Sequence, residues 1–431
     1  MKRIRGFIDL VFDVVEETTN LAERTHDSVV DRSVRRFAPV EPARSTAEVV
    51  TGVQKVISGA TFESIRLING ATRVAVGAAA DVAEAGLDQS AEGGGPELAT
   101  PIRSSAAGTA SWYLDYAQSS INGFWGDYLS RKQSRLDLGM TLRHHGRHLP
   151  ATREAFAQAF PDPTPKVIVF VHSLAATEWL WSLSSEQYYG DPDVTFGTRL
   201  REDLGYTPIY LRYNTGRHIS ENGKQLTKLI TEALAAYPVP VEEVALVGHS
   251  MGGLVARSAA HYAREHDAPW AEKLRHVACI GSPHLGAPLE KAVNVFTSLL
   301  KRLDAAGAQV PAELLDARSA GVKDLRYGYT VDEEWEGRDP DEVFADARRN
   351  IPLVDGVGYY FLAATISRDP EHPLGQLLGD LMVRLPSAIG EHPEPARRIH
   401  FAGGTVFPGM NHIHIAYHPD VYDALRDLLA A

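Results

Sequence analysis

A serine stands between glycines at the point where an apolar run gives way to a helix-forming one. Residues 246–253 read Leu-Val-Gly-His-Ser-Met-Gly-Gly, so Gly248 and Gly252 bracket Ser250 in a G-x-S-x-G pattern. The run Val244-Ala245-Leu246-Val247 before it has the character of a buried strand, and Gly252-Gly253-Leu254-Val255-Ala256 after it opens a helix. A chain that turns so sharply between the two must hold Ser250 in a strained backbone conformation, which is why small residues lie close on both sides. The turn lifts the hydroxyl above the sheet and aims the first amides of the helix, that of Met251 among them, at the same point. Such N–H groups have no intrahelical partner and can hold an oxyanion. The chemistry expected is attack by Ser250 on a carbonyl carbon. A bare G-x-S-x-G recurs in unrelated loops, but the strand before and the helix after single this one out.

A serine hydroxyl is a weak nucleophile unless a histidine takes its proton and a carboxylate orients that histidine. In a strand–turn–helix setting the acid and then the histidine follow the serine, on loops after later strands. Two segments fit. Gly379-Asp380-Leu381-Met382-Val383, running on to Pro386-Ser387-Ala388, follows an expected strand at 359–365. Gly409-Met410-Asn411-His412-Ile413-His414 follows another at 398–403 and precedes the terminal helix. His412 and His414 share one side of that segment if it is extended. Asp355 and Asp369 rival Asp380, but Asp355 precedes its strand and Asp369 sits in a Pro-rich turn.

The elements that must position these residues alternate in type. Continuous apolar runs at 166–171, 208–211, 244–247, 276–280 and 359–362 read as strands buried on both faces, with Arg398-Ile399-His400-Phe401 as the last. Helical stretches at 220–236, 253–264 and 420–430 lie among them. This alternation predicts an α/β fold with a parallel sheet covered on both sides. Leu136 to Leu142 reads as an edge strand with Arg147-His148-Leu149 returning as its hairpin partner, after an aromatic-rich helical entry from Trp112 to Tyr128. Asn214-Thr215-Gly216 reads as a turn at a strand end.

Residues 1–87 form a separate amphipathic helical module. Ile4, Phe7, Ile8, Val11 and Val15 recur at three- and four-residue steps, and Val49, Val53, Val56, Ala60 and Leu67 repeat the pattern. Its apolar faces can dock on the catalytic domain, join two subunits into an oligomer, or lie flat on a lipid surface as a peripheral membrane contact. Residues 88–110, with Gly93-Gly94-Gly95-Pro96, read as a linker to a domain over 111–431.

The net charge of −12 and the lack of a basic stripe argue against nucleic acid as a partner. One cysteine, Cys279, rules out an intramolecular disulfide. Asp9, Asp13, Glu16 and Glu17 interrupt the first apolar stretch, so no secretory signal or spanning segment is expected and a cytoplasmic location is. His144 and His145 are adjacent and face apart on a strand, and no cysteine or carboxylate completes a ligand set with His148, so no metal or other cofactor is expected. His284 reads as a structural residue behind the nucleophile.

Over residues 111–431 the chain resembles the α/β-hydrolase superfamily, and within it bacterial lipase- and esterase-like proteins related to the GPI inositol-deacylase-like group. The residues that carry the likeness are Val247 to Gly253, Gly281-Ser282-Pro283-His284-Leu285-Gly286-Ala287-Pro288 and Arg212-Tyr213-Asn214-Thr215-Gly216. The resemblance implies a mostly parallel central sheet flanked by helices, with a cap or lid insertion at about 287–356. It implies an acid in a G-D-G-L-V segment ending in Ser-Ala, which lands on Asp380. It implies a catalytic histidine seven residues before the proline of a His-Pro step that opens the last helix; counting back from Pro419 gives His412. The second oxyanion donor comes from a His-Gly-x loop after the first long strand, here His172-Ser173-Leu174, which puts the Leu174 amide beside that of Met251. Ser173 departs from the pattern, and if its position needs a positive φ a serine there is strained. Leu381 in place of glycine is the milder departure. Within the insertion, Ala292, Val295, Phe296, Leu299, Leu300 and Leu303 make an apolar helix face suited to an acyl pocket or a lid.

The function expected is a serine hydrolase cleaving small-molecule or lipid esters through Ser250, His412 and Asp380 and an acyl-enzyme. The alternatives are a lipid deacylase or acyltransferase at a membrane, and a non-catalytic homologue that binds lipid or a partner.

Overall fold

The computed structural model describes residues 106–134, 136–287, 318–338, 347–349, 351–370 and 379–431. The helical module at 1–87, the linker up to residue 105 and the apolar cap stretch 292–303 lie outside the described residues. In chain order come helix α1 (Ala106–Arg131), strands β1 (Met140–His144) and β2 (Arg147–His148), α2 (Arg153–Ala159), β3 (Lys166–Val171), α3 (Ser185–Tyr189), α4 (Phe196–Leu204) and β4 (Tyr206–Tyr213). They continue with α5 (Ile219–Ala236), β5 (Glu243–His249), α6 (Met251–Glu265), β6 (Leu274–Ile280), α7 (Ala320–Tyr327), β7 (Gly358–Thr365), α8 (Leu385–Ala388), β8 (Gly403–Pro408) and α9 (Pro419–Ala430). The chain divides into two units, one of residues 1–93, 110–117 and 290–317, the other of 94–109, 118–289 and 318–431. The sheet and the site described below belong to the second.

Eight strands make one sheet in the order β2-β1-β4-β3-β5-β6-β7-β8. β1 runs antiparallel to β2 and β4, and every other pairing is parallel. The expected α/β-hydrolase fold, mostly parallel with helices on both faces, is the observed one. The continuous apolar run of β3 serves both faces because side chains alternate along a strand. Val167, Val169 and Val171 join the core under α5 and α6, while Ile168 and Phe170 join the opposite core with α4 and α9. Helix ends are fixed locally: Thr195 and Thr198 form a reciprocal capping box on α4, and Pro419 opens α9 where its missing N–H costs nothing.

Two sequence expectations change. His144 pairs with Arg147, which leaves His145 and Gly146 as a two-residue turn with φ of 48° and 77°. His145 has therefore left the strand, and its ring meets that of His144 edge to face at 4.2 Å instead of facing away. The last strand is Gly403–Pro408, not 398–401. Phe401 packs between His284 and Phe361 at ring separations of 5.1 and 5.5 Å, which gave its segment the look of a strand. The ladder forms only where the chain can approach β7: a Cβ on Gly404 would fall 2.5 Å from the Phe361 ring.

Residues 318–338 of the expected cap are held on α5 and α6. Asp324 bonds His218, Lys224 pairs with Asp332, Trp335 Nε1 donates to Ser220 Oγ at 2.9 Å, and Ser258 Oγ donates to the Thr330 carbonyl at 2.6 Å. Among the described residues no helix is long and apolar enough to cross a membrane.

Candidate active site

Ser250 sits between β5 and α6 with φ of 54° and ψ of −120°, a conformation costly for any residue bearing a Cβ. Its N–H is fixed to the Ile280 carbonyl at the end of β6, 2.8 Å away, and its carbonyl accepts from Gly253 N at 3.1 Å. The glycines make the turn sterically feasible. A Cβ on Gly248 would lie 2.3 Å from Gly252, and one on Gly252 would lie 2.1 Å from the Val171 carbonyl oxygen. The second contact shows that the start of α6 is pressed against the end of β3, where the His172-Ser173-Leu174 loop begins.

Asp380 and His412 come together on the loops after β7 and β8. His412 Nδ1 lies 2.7 Å from Asp380 Oδ2, and both side chains are buried. The backbones join as well, His412 N donating to the Asp380 carbonyl at 3.0 Å. Asp380 Oδ1 accepts from the amides of Met382 and Val383 at 3.0 and 2.8 Å, so the carboxylate is oriented by three donors. With Nδ1–H donated to Asp380, the lone pair of a neutral His412 lies on Nε2, the arrangement a general base would need. No hydrogen bond among the described residues joins that nitrogen to Ser250 Oγ; such bonds commonly tighten only when substrate is bound. His414 points elsewhere. It lies in a 3₁₀ turn, its Nε2 against the hydroxyl of Tyr188 and its ring beside those of Tyr417 and His418. Asp355 and Asp369 are exposed at the surface.

The amides of Leu174 and Met251 both remain available, neither donating to a described residue. The loop that carries Leu174 is held from below. Ala175 N donates to Thr215 Oγ1 at 3.1 Å, and Ala176 N reaches back to the Ser173 carbonyl at 3.2 Å. Ser173 does not adopt the positive φ that would have strained it; the positive φ in this loop is at Ala175, 56°, whose N–H bonds Thr215. Leu381, read as the milder departure, has a φ of 85°. The glycine-like position of the acid loop is thus occupied by a leucine, and each of the two loops holds one residue bearing a Cβ at positive φ. Sequence reasoning read Asn214-Thr215-Gly216 as a turn at a strand end, with lining of the pocket as the alternative. In the structure Asn214 Nδ2 also reaches Gly126 O at 2.9 Å and Asp137 Oδ1 at 2.8 Å, so the turn ties α1, the lead into β1 and the oxyanion loop together. Arg212 adds a buried two-pronged pair with Glu178, Nε to Oε2 at 2.7 Å and Nη2 to Oε1 at 2.5 Å. An arginine before a Tyr-Asn-Thr turn gave no sign of that partner, which lies 34 residues away.

Three further histidines surround the site, held neutral by burial. His172 and His249 are pushed down to about 3, chiefly by desolvation, and His284 is driven well below its usual range by burial and then by the Arg257 guanidinium. His284 accepts from Arg257 Nη1 at 3.1 Å, in keeping with a structural role. Met382 and Ile413, each 43% exposed, stand just beyond Asp380 and His412 as uncovered apolar side chains. A cavity of about 260 Å³ walled by His144, Trp179, Arg201 and Tyr210 contains none of the five expected site residues. Among the described residues no group of three or more histidine, cysteine or acidic side chains is placed to hold a metal ion.

Residues 209–340, from β4 through the nucleophile turn into the insertion, match the family model of the PGAP1-like alpha/beta domain. The eight-stranded, mostly parallel sheet flanked by helices has the architecture of the α/β-hydrolase fold. Similar solved structures include a Staphylococcus hyicus lipase, 12% identical over 62% of this chain and 97% of that one, with a TM-score of 0.37. They also include the RedJ thioesterase of Streptomyces coelicolor (17% identity, 62% and 91% covered, TM-score 0.34) and the naproxen esterase of Bacillus subtilis (14% identity, 62% and 84% covered, TM-score 0.32). No curated protein matches the chain.

Proposed function

We propose that this protein is a serine hydrolase of carboxylic esters. The observation that carries the reading is the buried His412–Asp380 pair, joined side chain to side chain at 2.7 Å and backbone to backbone at 3.0 Å, on loops beside a serine in a strained strand-to-helix turn. In this reading Ser250 Oγ attacks the ester carbonyl carbon as His412 Nε2 takes its proton. The negative charge that develops on the carbonyl oxygen is met, in this reading, by the Met251 and Leu174 amides, neither of which donates to a described residue. Collapse of the tetrahedral species breaks the bond to the alkoxy oxygen, which receives the proton from His412 Nε2 and leaves as the alcohol. Water then attacks the acyl-serine, again giving its proton to His412; the carboxylic acid departs and the proton returns to Ser250 Oγ. The exposed Met382 and Ile413 side chains favour an acyl group with apolar surface.

Hydrolysis of p-nitrophenyl esters tests this reading. Ser250→Ala is expected to reduce the rate to the uncatalysed background while leaving the fold intact. Hydrolysis that survives the substitution would remove Ser250 from the mechanism.

A further inference from the structure

We propose that His249 is a positioning residue: by donating Nε2–H to the His412 carbonyl, it fixes the distance between the catalytic histidine and the nucleophile. The inference rests on the reading of Ser250 as nucleophile and His412 as base.

His249 is the residue before Ser250, 1% exposed, and its Nε2 lies 2.8 Å from His412 O. A carbonyl oxygen can only accept, so Nε2 carries the proton and the tautomer is set. Nδ1 is then a bare acceptor, and it is buried with no hydrogen-bond partner. An unsatisfied buried acceptor is costly, a cost that a purely apolar side chain packed against Trp181 would not carry. The one polar contact the ring does make is with the backbone of His412. The other holds on His412, through Asp380 O and Asp380 Oδ2, tie it to the acid loop and move with that loop. Among the described residues, His249 supplies the hydrogen bond from the nucleophile turn itself to His412. The two rings also lie 4.9 Å apart at a 45° tilt. Burial, and then the charge of a protonated His412, keep His249 neutral down to about 3, so the donor persists wherever the base functions. A neutral neighbour also adds no charge to oppose the imidazolium that forms during attack.

The consequence is geometric. A shift of about 1 Å in a catalytic group can cost 10²-fold in rate, and the His412 peptide is the pivot of its ring. With p-nitrophenyl butyrate, His249→Leu is expected to lower kcat by about 10- to 100-fold with little change in KM, and to slow phosphonylation of Ser250 by the same factor. His249→Gln carries an amide N–H to nearly the position of Nε2–H and is expected to recover most of that loss at the same Tm as the leucine variant. If the leucine variant fails to fold, ¹⁵N-histidine spectra of the unsubstituted protein decide. They should contain an Nε2–H imidazole that does not titrate between about pH 5 and 9 and that is absent in His249→Gln, which distinguishes it from the buried His284 ring. A folded His249→Leu protein with undiminished kcat would overturn the proposal. So would a glutamine variant as slow as the leucine one at equal Tm, or a His249 ring that titrates in that range. If the unsubstituted protein is not phosphonylated at Ser250, the proposed function itself fails and takes this inference with it; normal phosphonylation with an unaffected leucine variant removes the positioning role alone.

Discussion

Leu381 holds a backbone conformation that glycine would hold at less cost. Its φ of 85° immediately follows the acid, where the turn lets the next two amides bond Asp380 Oδ1. A left-handed conformation costs an L-residue about 1–2 kcal/mol, and glycine gives back about 0.5–1 kcal/mol through its greater freedom when unfolded. Leu381→Gly is therefore expected to raise unfolding free energy by about 0–1.5 kcal/mol, while Leu381→Ala, which keeps the strain and loses side-chain contacts, lowers it. Urea unfolding of the two variants decides, and an alanine variant more stable than the glycine one would contradict the assignment of strain. At this scale the sequence was legible where chemistry dictates residue type. The serine between glycines is recognisable by its own spacing, whereas Asp380 and His412 are singled out from their rivals by what the family resemblance implies. The sign of φ at Ser173, Ala175 and Leu381 was not legible, because it depends on distant anchors: Ala175 is bent by its bond to Thr215, 40 residues away. The partner of His249 was hidden in the same way, 163 residues along the chain.

Between elements, the contact that most directly ties the insertion to the catalytic domain is a stacked ion pair. His218, at the N-terminus of α5, bonds both carboxylate oxygens of Asp324 in α7 at 3.0–3.1 Å, and its ring lies parallel to that of Trp335 at 3.6 Å. Burial alone would lower the His218 pKa, but the Asp324 hydrogen bond and charge outweigh it and the pKa is raised. A raised folded-state pKa means that the pair's contribution is complete below the unfolded value, near 6.5, and is lost as pH rises through the folded one. Proteolysis within 318–338 is expected to accelerate from about pH 6 to pH 9 relative to a His218→Gln variant, which lacks the titration. Equal pH dependence in both would show that the pair does not govern attachment. The type of most strands and their places along the chain were legible because runs such as Val167 to Val171 must bury both faces, while their order across the sheet was not read. β8 was missed because its glycines, which read as loop, are what permit its approach to Phe361.

Over the whole domain, burial of neutral imidazoles makes stability depend on acid. His172 and His249 have folded-state values near 3, below the unfolded value, so the unfolded chain takes up protons first. Stability is expected to fall as pH drops from about 6.5 toward 3, by about 1.4 kcal/mol per pH unit for each ring. Urea midpoints across that range measure it, and a flat profile would mean that these rings are hydrated. The layered α/β architecture was legible in the alternation of strand-like and helix-like runs, whereas the packing of residues 318–338 on α5 and α6 depends on side-chain pairs with no sequence periodicity. The central claim, an activated Ser250, is tested most directly by the mass of the intact chain after reaction with a fluorophosphonate and by the site of the adduct. One phosphonyl group per chain is predicted, on Ser250, absent in Ser250→Ala and formed about 10³–10⁴ times more slowly in Asp380→Asn. No adduct on the folded protein, or one that persists in Ser250→Ala, would contradict the account.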